Sequence, residues 1–136
     1  MPRKPRLHYP GAAYHVMVRG NSGQDIFFDA GDRTRFFLLL QESVERFEYR
    51  IHAFCLMTTH AHLALQVGNI PLSRIMLNVG LWYTQFVNRK YQRSGHLFQG
   101  RYKALLIDAG GYLLELIRYI HLNPLQSAQG RNSPVA

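Results

Sequence analysis

RIHAFCLMTTHAHLALQV, running from Arg50 to Val67, decides the fold. It contains two strand-like runs, Arg50 to Met57 and His60 to Val67, and only Thr58 and Thr59 stand between them. So short a connection predicts an antiparallel hairpin. In the second run, side chains alternate between the two faces of a sheet. Ala61, Leu63, Leu65 and Val67 form an apolar face to be covered by helices, while His60, His62, Ala64 and Gln66 take the other face.

Helices are expected on either side of this hairpin. Upstream, Asp29 and Asp32 supply an N-cap and a first-turn acid. Phe36, Leu39, Leu40, Val44 and Phe47 then recur at helical spacing. Before them, Ala13 to Arg19 reads as a strand closed by the loop Gly20-Asn21-Ser22-Gly23. Downstream, Pro71 suits the first turn of a second helix. That helix carries the stripe Leu72, Ile75, Met76, Val79, Tyr83 and Phe86 and finishes in the basic end Arg89, Lys90, Tyr91, Gln92 and Arg93. A turn region bracketed by Gly95 and Gly100 precedes a fourth strand, Tyr102 to Ile107. Gly110 and Gly111 lead into a last helix, through about Leu122, stopped by Asn123 and Pro124. The order β-α-β-β-α-β, then α, predicts an α+β protein. It is a ferredoxin-like antiparallel sheet with its main helices on one face, plus a C-terminal helix. That scaffold hosts many activities, so function must come from the site.

The 136 residues fit one domain, 1–136, with a basic arm over 1–8 and a short tail over 125–136. Sixteen Lys and Arg against eight Asp and Glu give a net charge of +8, which points to a polyanionic partner. The single cysteine, Cys55, excludes an internal disulfide and reads as a buried thiol. No stretch has the length of a membrane span, and the opening Met1-Pro2-Arg3-Lys4-Pro5-Arg6 lacks the apolar segment of a signal peptide. A cytoplasmic protein is therefore expected. Arg3, Lys4 and Arg6 in the arm, Arg89, Lys90 and Arg93 at the helix end, and Arg101 and Lys103 near the fourth strand are the candidate contacts to such a partner.

His60 and His62, two apart on one strand, point the same way and could share a metal ion. Taken alone, so short and common a pattern reads more readily as two solvent-facing histidines. On the last helix Leu113, Leu116, Ile117 and Ile120 make the core stripe, and Tyr119 and Asn123 lie one turn apart on its flank. An amide oxygen and two imidazoles suit one divalent ion and leave positions for phosphate oxygens. Asn123 also reads as a helix C-cap before Pro124. The chain has no His-Glu-x-x-His, cysteine pair, P-loop or Gly-x-Ser-x-Gly elbow, and no carboxylate cluster for two-metal hydrolysis. A tyrosine is then the better nucleophile. Asn123 favours Tyr119, with Tyr83, Tyr102 and Tyr112 as alternatives.

These residues carry a resemblance. Phe54 to Gln66, with His60-Ala61-His62, resembles the His-hydrophobic-His metal segment of single-tyrosine transposases in the HUH endonuclease superfamily. Arg118-Tyr119-Ile120-His121-Leu122-Asn123-Pro124 resembles the segment that carries their nucleophile. Gly95 to Lys103, Pro71 to Met76, and the opening Pro2 to Arg6 through Tyr14-His15-Val16 are similar to the REP-associated tyrosine transposase group. The likeness covers nearly the whole chain. It implies Tyr119 as nucleophile, and His60, His62 and Asn123 as ligands of Mg2+ or Mn2+. It also implies cleavage and rejoining of single-stranded or hairpin DNA through a covalent 5′-phosphotyrosine, by a monomer or homodimer. Competing readings are a non-catalytic hairpin binder derived from such an enzyme and a metal-dependent nuclease that uses water. Two departures stand out. Thr59 replaces the usual asparagine before the first histidine, which puts the loop holding His60 in question. The chain also ends twelve residues past Pro124, where relatives continue.

Overall fold

The computed structural model describes residues 8–107 and 111–126, with side chains at 111–113, 121 and 123–126 excepted. Strand β1 spans Ala13–Arg19, helix α1 Ala30–Phe47, strands β2 and β3 Arg50–Leu56 and His60–Gln66, helix α2 Leu72–Lys90, strand β4 Lys103–Ile107, and helix α3 Gly111–Gln126. The sheet order is β2-β3-β1-β4 and every neighbouring pair is antiparallel. This is the ferredoxin-like arrangement expected from the element order. The Arg3, Lys4 and Arg6 arm and the tail beyond 126 lie outside the described residues.

Local chemistry explains the boundaries. Asp29 caps α1 by accepting the Asp32 N–H at 2.9 Å. The turn between β2 and β3 closes through the Met57 N–H on the His60 carbonyl at 2.8 Å. Helix α2 ends at Lys90, short of Arg93, because Gln92 turns left-handed (φ 52°) and the Arg93 N–H folds back onto the Asn88 carbonyl at 2.9 Å. Helix α3 runs past Pro124 to Gln126, so Asn123 lies within the helix and is not its C-cap. A proline so near the end deletes one backbone bond in a last turn whose carbonyls are already short of partners.

The sheet packs against helices on both faces, with the edge strand β4 left largely exposed. Val16, Val18, Ala61, Leu63 and Leu65 meet Phe36 and Leu40 of α1 and Ile75, Val79 and Tyr83 of α2 in the main core. On the other face Ala13, Ala53, Cys55, Ala64 and Ile107 lie beneath Leu116 and Ile120 of α3. Three alanines and a cysteine let this helix approach closely. Because period-2 alternation sends Leu63 to one face and His62 and Ala64 to the other, α3 covers the histidine side of the sheet.

Candidate active site

His60 and His62 occupy the end of β3 nearest the β2–β3 turn. Their ring centres are 5.0 Å apart with planes at 87°. His62 is 9% exposed and His60 half-buried. Each ring has one nitrogen already engaged. Thr59 Oγ1 lies 3.1 Å from His60 Nδ1, and His15 Nε2 lies 3.0 Å from His62 Nδ1. Both Nε2 atoms are left without a hydrogen bond among the described residues. Burial, with the nearby Arg19 charge, holds His60 below its ordinary pKa. For His62, burial and then the neighbouring His60, His15 and Arg19 push the value down to about 4. Both imidazoles are therefore neutral at physiological pH, the protonation state in which histidine ligates a metal. Outer contacts at Nδ1 with Nε2 left over are the usual support of a histidine ligand, so the pair fits a divalent ion.

Among the described residues no three His, Cys, Asp or Glu side chains form a metal-holding group. His15 does not complete one, because its Nε2 faces His62. The Asn123 side chain lies outside the described residues.

Tyr119 is on α3, over the same sheet face as the histidines. Leu116 and Ile120 beside it are buried, whereas Tyr119 is 51% exposed, and its hydroxyl makes no hydrogen bond among the described residues. Two of the alternative tyrosines sit differently. Tyr83 is fully buried on the opposite face and donates to the Ile26 carbonyl at 2.6 Å; burial drives its pKa upward. Tyr102 packs against the main core. The Tyr112 side chain is outside the described residues.

Of the basic candidates, Arg89, Arg101 and Lys103 are exposed. Lys103 lines, with His15, Met17, Ala104 and Leu105, a cleft of about 380 Å³ on the histidine face. A larger cleft of about 560 Å³ between α1 and β2 lies on the other face and touches none of the candidate residues. Arg93 reaches Gln24 Oε1 at 3.3 Å. Lys90 is on the surface too but is held in ion pairs, 2.8 Å from buried Asp32 and 2.9 Å from Asp29. These contacts hold the Lys90 ammonium well above its ordinary range and Asp29 below its own.

Two residues in this site were not singled out from the sequence. His15 and Arg19 are on β1, which pairs with β3 so that Arg19 lies opposite His60 and Met17 opposite His62. Alternation along Ala13–Arg19 could have put His15, Met17 and Arg19 on one face. That this face adjoins the histidine pair depends on strand order. The Arg19 guanidinium makes no hydrogen bond or ion pair among the described residues.

A family model described as "Transposase IS200 like" matches residues 8–123, most of the chain and all of these positions. The chain belongs to the IS200-like transposase family. No curated protein gives a significant sequence match. Among solved structures, a REP-associated tyrosine transposase bound to a REP hairpin is similar at TM-score 0.76 and 14% identity, covering 95% of this chain and 76% of that one. A candidate transposase from Deinococcus radiodurans is similar at TM-score 0.60 and 13% identity, covering 88% of this chain and 95% of that one. At such identities the structural likeness speaks to fold. Among the described residues no helix is long and apolar enough to cross a membrane.

Proposed function

We propose that this IS200-like transposase cuts and rejoins single-stranded or hairpin DNA in the cytoplasm through a 5′-phosphotyrosine on Tyr119, with Mg2+ or Mn2+ held by His60, His62 and Asn123. The observation that carries the reading is the pair of neutral imidazoles, both Nδ1 atoms engaged, on the sheet face against which α3, the helix that carries Tyr119, packs through Leu116 and Ile120. When bound, the ion supplies Lewis-acid relief of charge on the scissile phosphate.

The protein's own groups do the rest. The Tyr119 oxygen forms a bond to phosphorus, the bond from phosphorus to the 3′-oxygen breaks, and that oxygen leaves as a free 3′-hydroxyl. The phenol loses its proton during attack and the leaving oxygen gains one. Attack by another strand's 3′-hydroxyl on the phosphotyrosine reverses the chemistry and joins DNA. Lys103 and Arg19 flank the histidines and provide positive charge along the strand's path, with Arg89, Arg93 and Arg101 and the arm residues Arg3, Lys4 and Arg6 extending it. A hairpin ligand is favoured because the structurally similar transposase was solved with one.

The test is Tyr119→Phe with end-labelled hairpin DNA and Mn2+ on a denaturing gel. The wild type is expected to cut and to carry labelled DNA covalently. The variant should do neither, while its stability stays within about 0.5 kcal/mol of wild type, since the hydroxyl lost has no partner among the described residues. A variant that still cuts but leaves no DNA on the protein refutes the tyrosine mechanism in favour of water, and one that still carries the adduct moves the nucleophile to another tyrosine. A wild type that binds hairpins without ever cutting refutes catalysis.

A further inference from the structure

His15 stands at the edge of this site with its ring turned to His62. The two ring centres are 5.3 Å apart, and His15 Nε2 is 3.0 Å from His62 Nδ1. One proton serves that hydrogen bond, so only two neutral arrangements exist. Either His62 Nδ1–H donates and His15 Nε2 accepts, or the reverse. In the first, His62 Nε2 carries a lone pair. In the second, His62 carries its proton on Nε2, where it would block an ion. His60 has a hydroxyl, Thr59 Oγ1, that can act as donor or acceptor and so fixes neither form. His15 is held in place by the β1–β3 ladder, which puts it opposite Ala64, one pleat along from His62 on the same face.

We infer that His15 is a positioning residue that accepts the proton of His62 Nδ1, and thereby fixes His62 in the tautomer whose Nε2 is free for a divalent ion. The inference rests on the metal site proposed above. A histidine acceptor in this position differs from the carboxylate or backbone carbonyl that more often stands behind a histidine ligand. It adds no negative charge to the site, which leaves the ion's full positive charge available to phosphate. It also requires His15 to hold its own proton on Nδ1, facing away from His62.

The imidazole nitrogens of metal-free, 15N-histidine-labelled protein report the tautomers directly by long-range nitrogen–proton correlation. The expected spectrum has His62 protonated at Nδ1 and His15 also protonated at Nδ1. A spectrum with the His62 proton on Nε2 overturns the inference without any variant. Mn2+ binding, followed by the electron paramagnetic signal of the free ion, supplies the second readout. His15→Phe keeps a ring but removes the acceptor, and should weaken Mn2+ binding by about 10- to 100-fold. His15→Gln offers an amide oxygen to His62 Nδ1–H and should recover most of that loss. A His15→Phe protein that binds Mn2+ as tightly as wild type overturns the role of His15 while leaving the metal site standing. A wild type that binds no Mn2+ overturns the metal site and the inference together.

Discussion

Acid should destabilise the metal-free protein by an amount set largely by the histidine cluster. His62 has an ordinary pKa of 6.5 and a value of about 4 in the fold, with burial the main cause. Between those values the unfolded chain takes up a proton that the native protein refuses, so stability falls as pH falls. Above 6.5 both states are neutral there and the contribution is flat. Integrating the difference from pH 8 to pH 5 gives a loss of about 2 kcal/mol from His62 alone, a sizeable part of a typical domain's stability. His15 and His60 are also shifted down by burial and add in the same direction. Urea unfolding with a chelator at pH 8, 7, 6 and 5 measures the slope, and His62→Asn removes the main titrating group. The limit of pH 5 keeps ordinary carboxylates out of the comparison. Wild-type and variant curves that run parallel within about 0.5 kcal/mol would refute the claim that His62 is held neutral by its surroundings.

Asp32→Ala should lower stability by about 2–3 kcal/mol in urea unfolding, because the buried carboxylate accepts from the Phe28 N–H at 2.9 Å, which would lose its acceptor, and from the Tyr91 hydroxyl at 2.7 Å, which would keep only its longer contact to Asp29 at 3.4 Å. A loss under about 1 kcal/mol would show that water reaches this junction of α1 and α2. Hairpin binding should weaken steeply with salt, and Lys103→Gln should reduce the slope of log affinity against log salt by about one, whereas Lys90→Gln should leave it nearly unchanged because Asp29 and Asp32 already neutralise that ammonium. Equal slopes for Lys103→Gln and wild type would remove Lys103 from the path of the backbone.

The architecture was legible because its signals are local. Two threonines between two strands force a hairpin, Asp29 and Pro71 mark helix starts, and period-2 alternation assigns His60 and His62 to one face before any coordinates exist. The ends were harder to read. The stop of α2 is set by a left-handed Gln92, a residue with no particular preference for that conformation, so nothing in the sequence announces it. Pro124 reads as a terminator yet sits inside the last turn of α3. The site was half legible for the same reason. His-x-His is a property of one strand, but the neighbours that give it chemical character come from β1, forty-seven residues away for the His15–His62 contact. Lys90 shows the same dependence on packing. A basic helix end looks like a phosphate contact, and only the packing of α1 against α2 reveals that Asp29 and Asp32 face it.

Thr59 is where sequence and geometry bear on each other most directly. An asparagine is the residue expected before the first histidine, and its side chain brings an acceptor and a donor. Threonine keeps both capacities in one hydroxyl on a shorter, β-branched and stiffer side chain. In the fold that hydroxyl stands 3.1 Å from His60 Nδ1, while the Thr59 carbonyl accepts the Gly20 N–H at 2.9 Å and so ties the turn to the end of β1. The Thr58 carbonyl accepts the Ile26 N–H at 2.8 Å on the same side of the turn. The loop that carries the departure is therefore held by backbone contacts that do not depend on the side chain at 59. The side chain that is present meets His60 at Nδ1, the nitrogen at which a histidine ligand takes its outer contact, and its hydroxyl is able to accept there. Each histidine is thus supported from a different direction, His60 by its own turn and His62 by the neighbouring strand. The pair's orientation does not rest on asparagine.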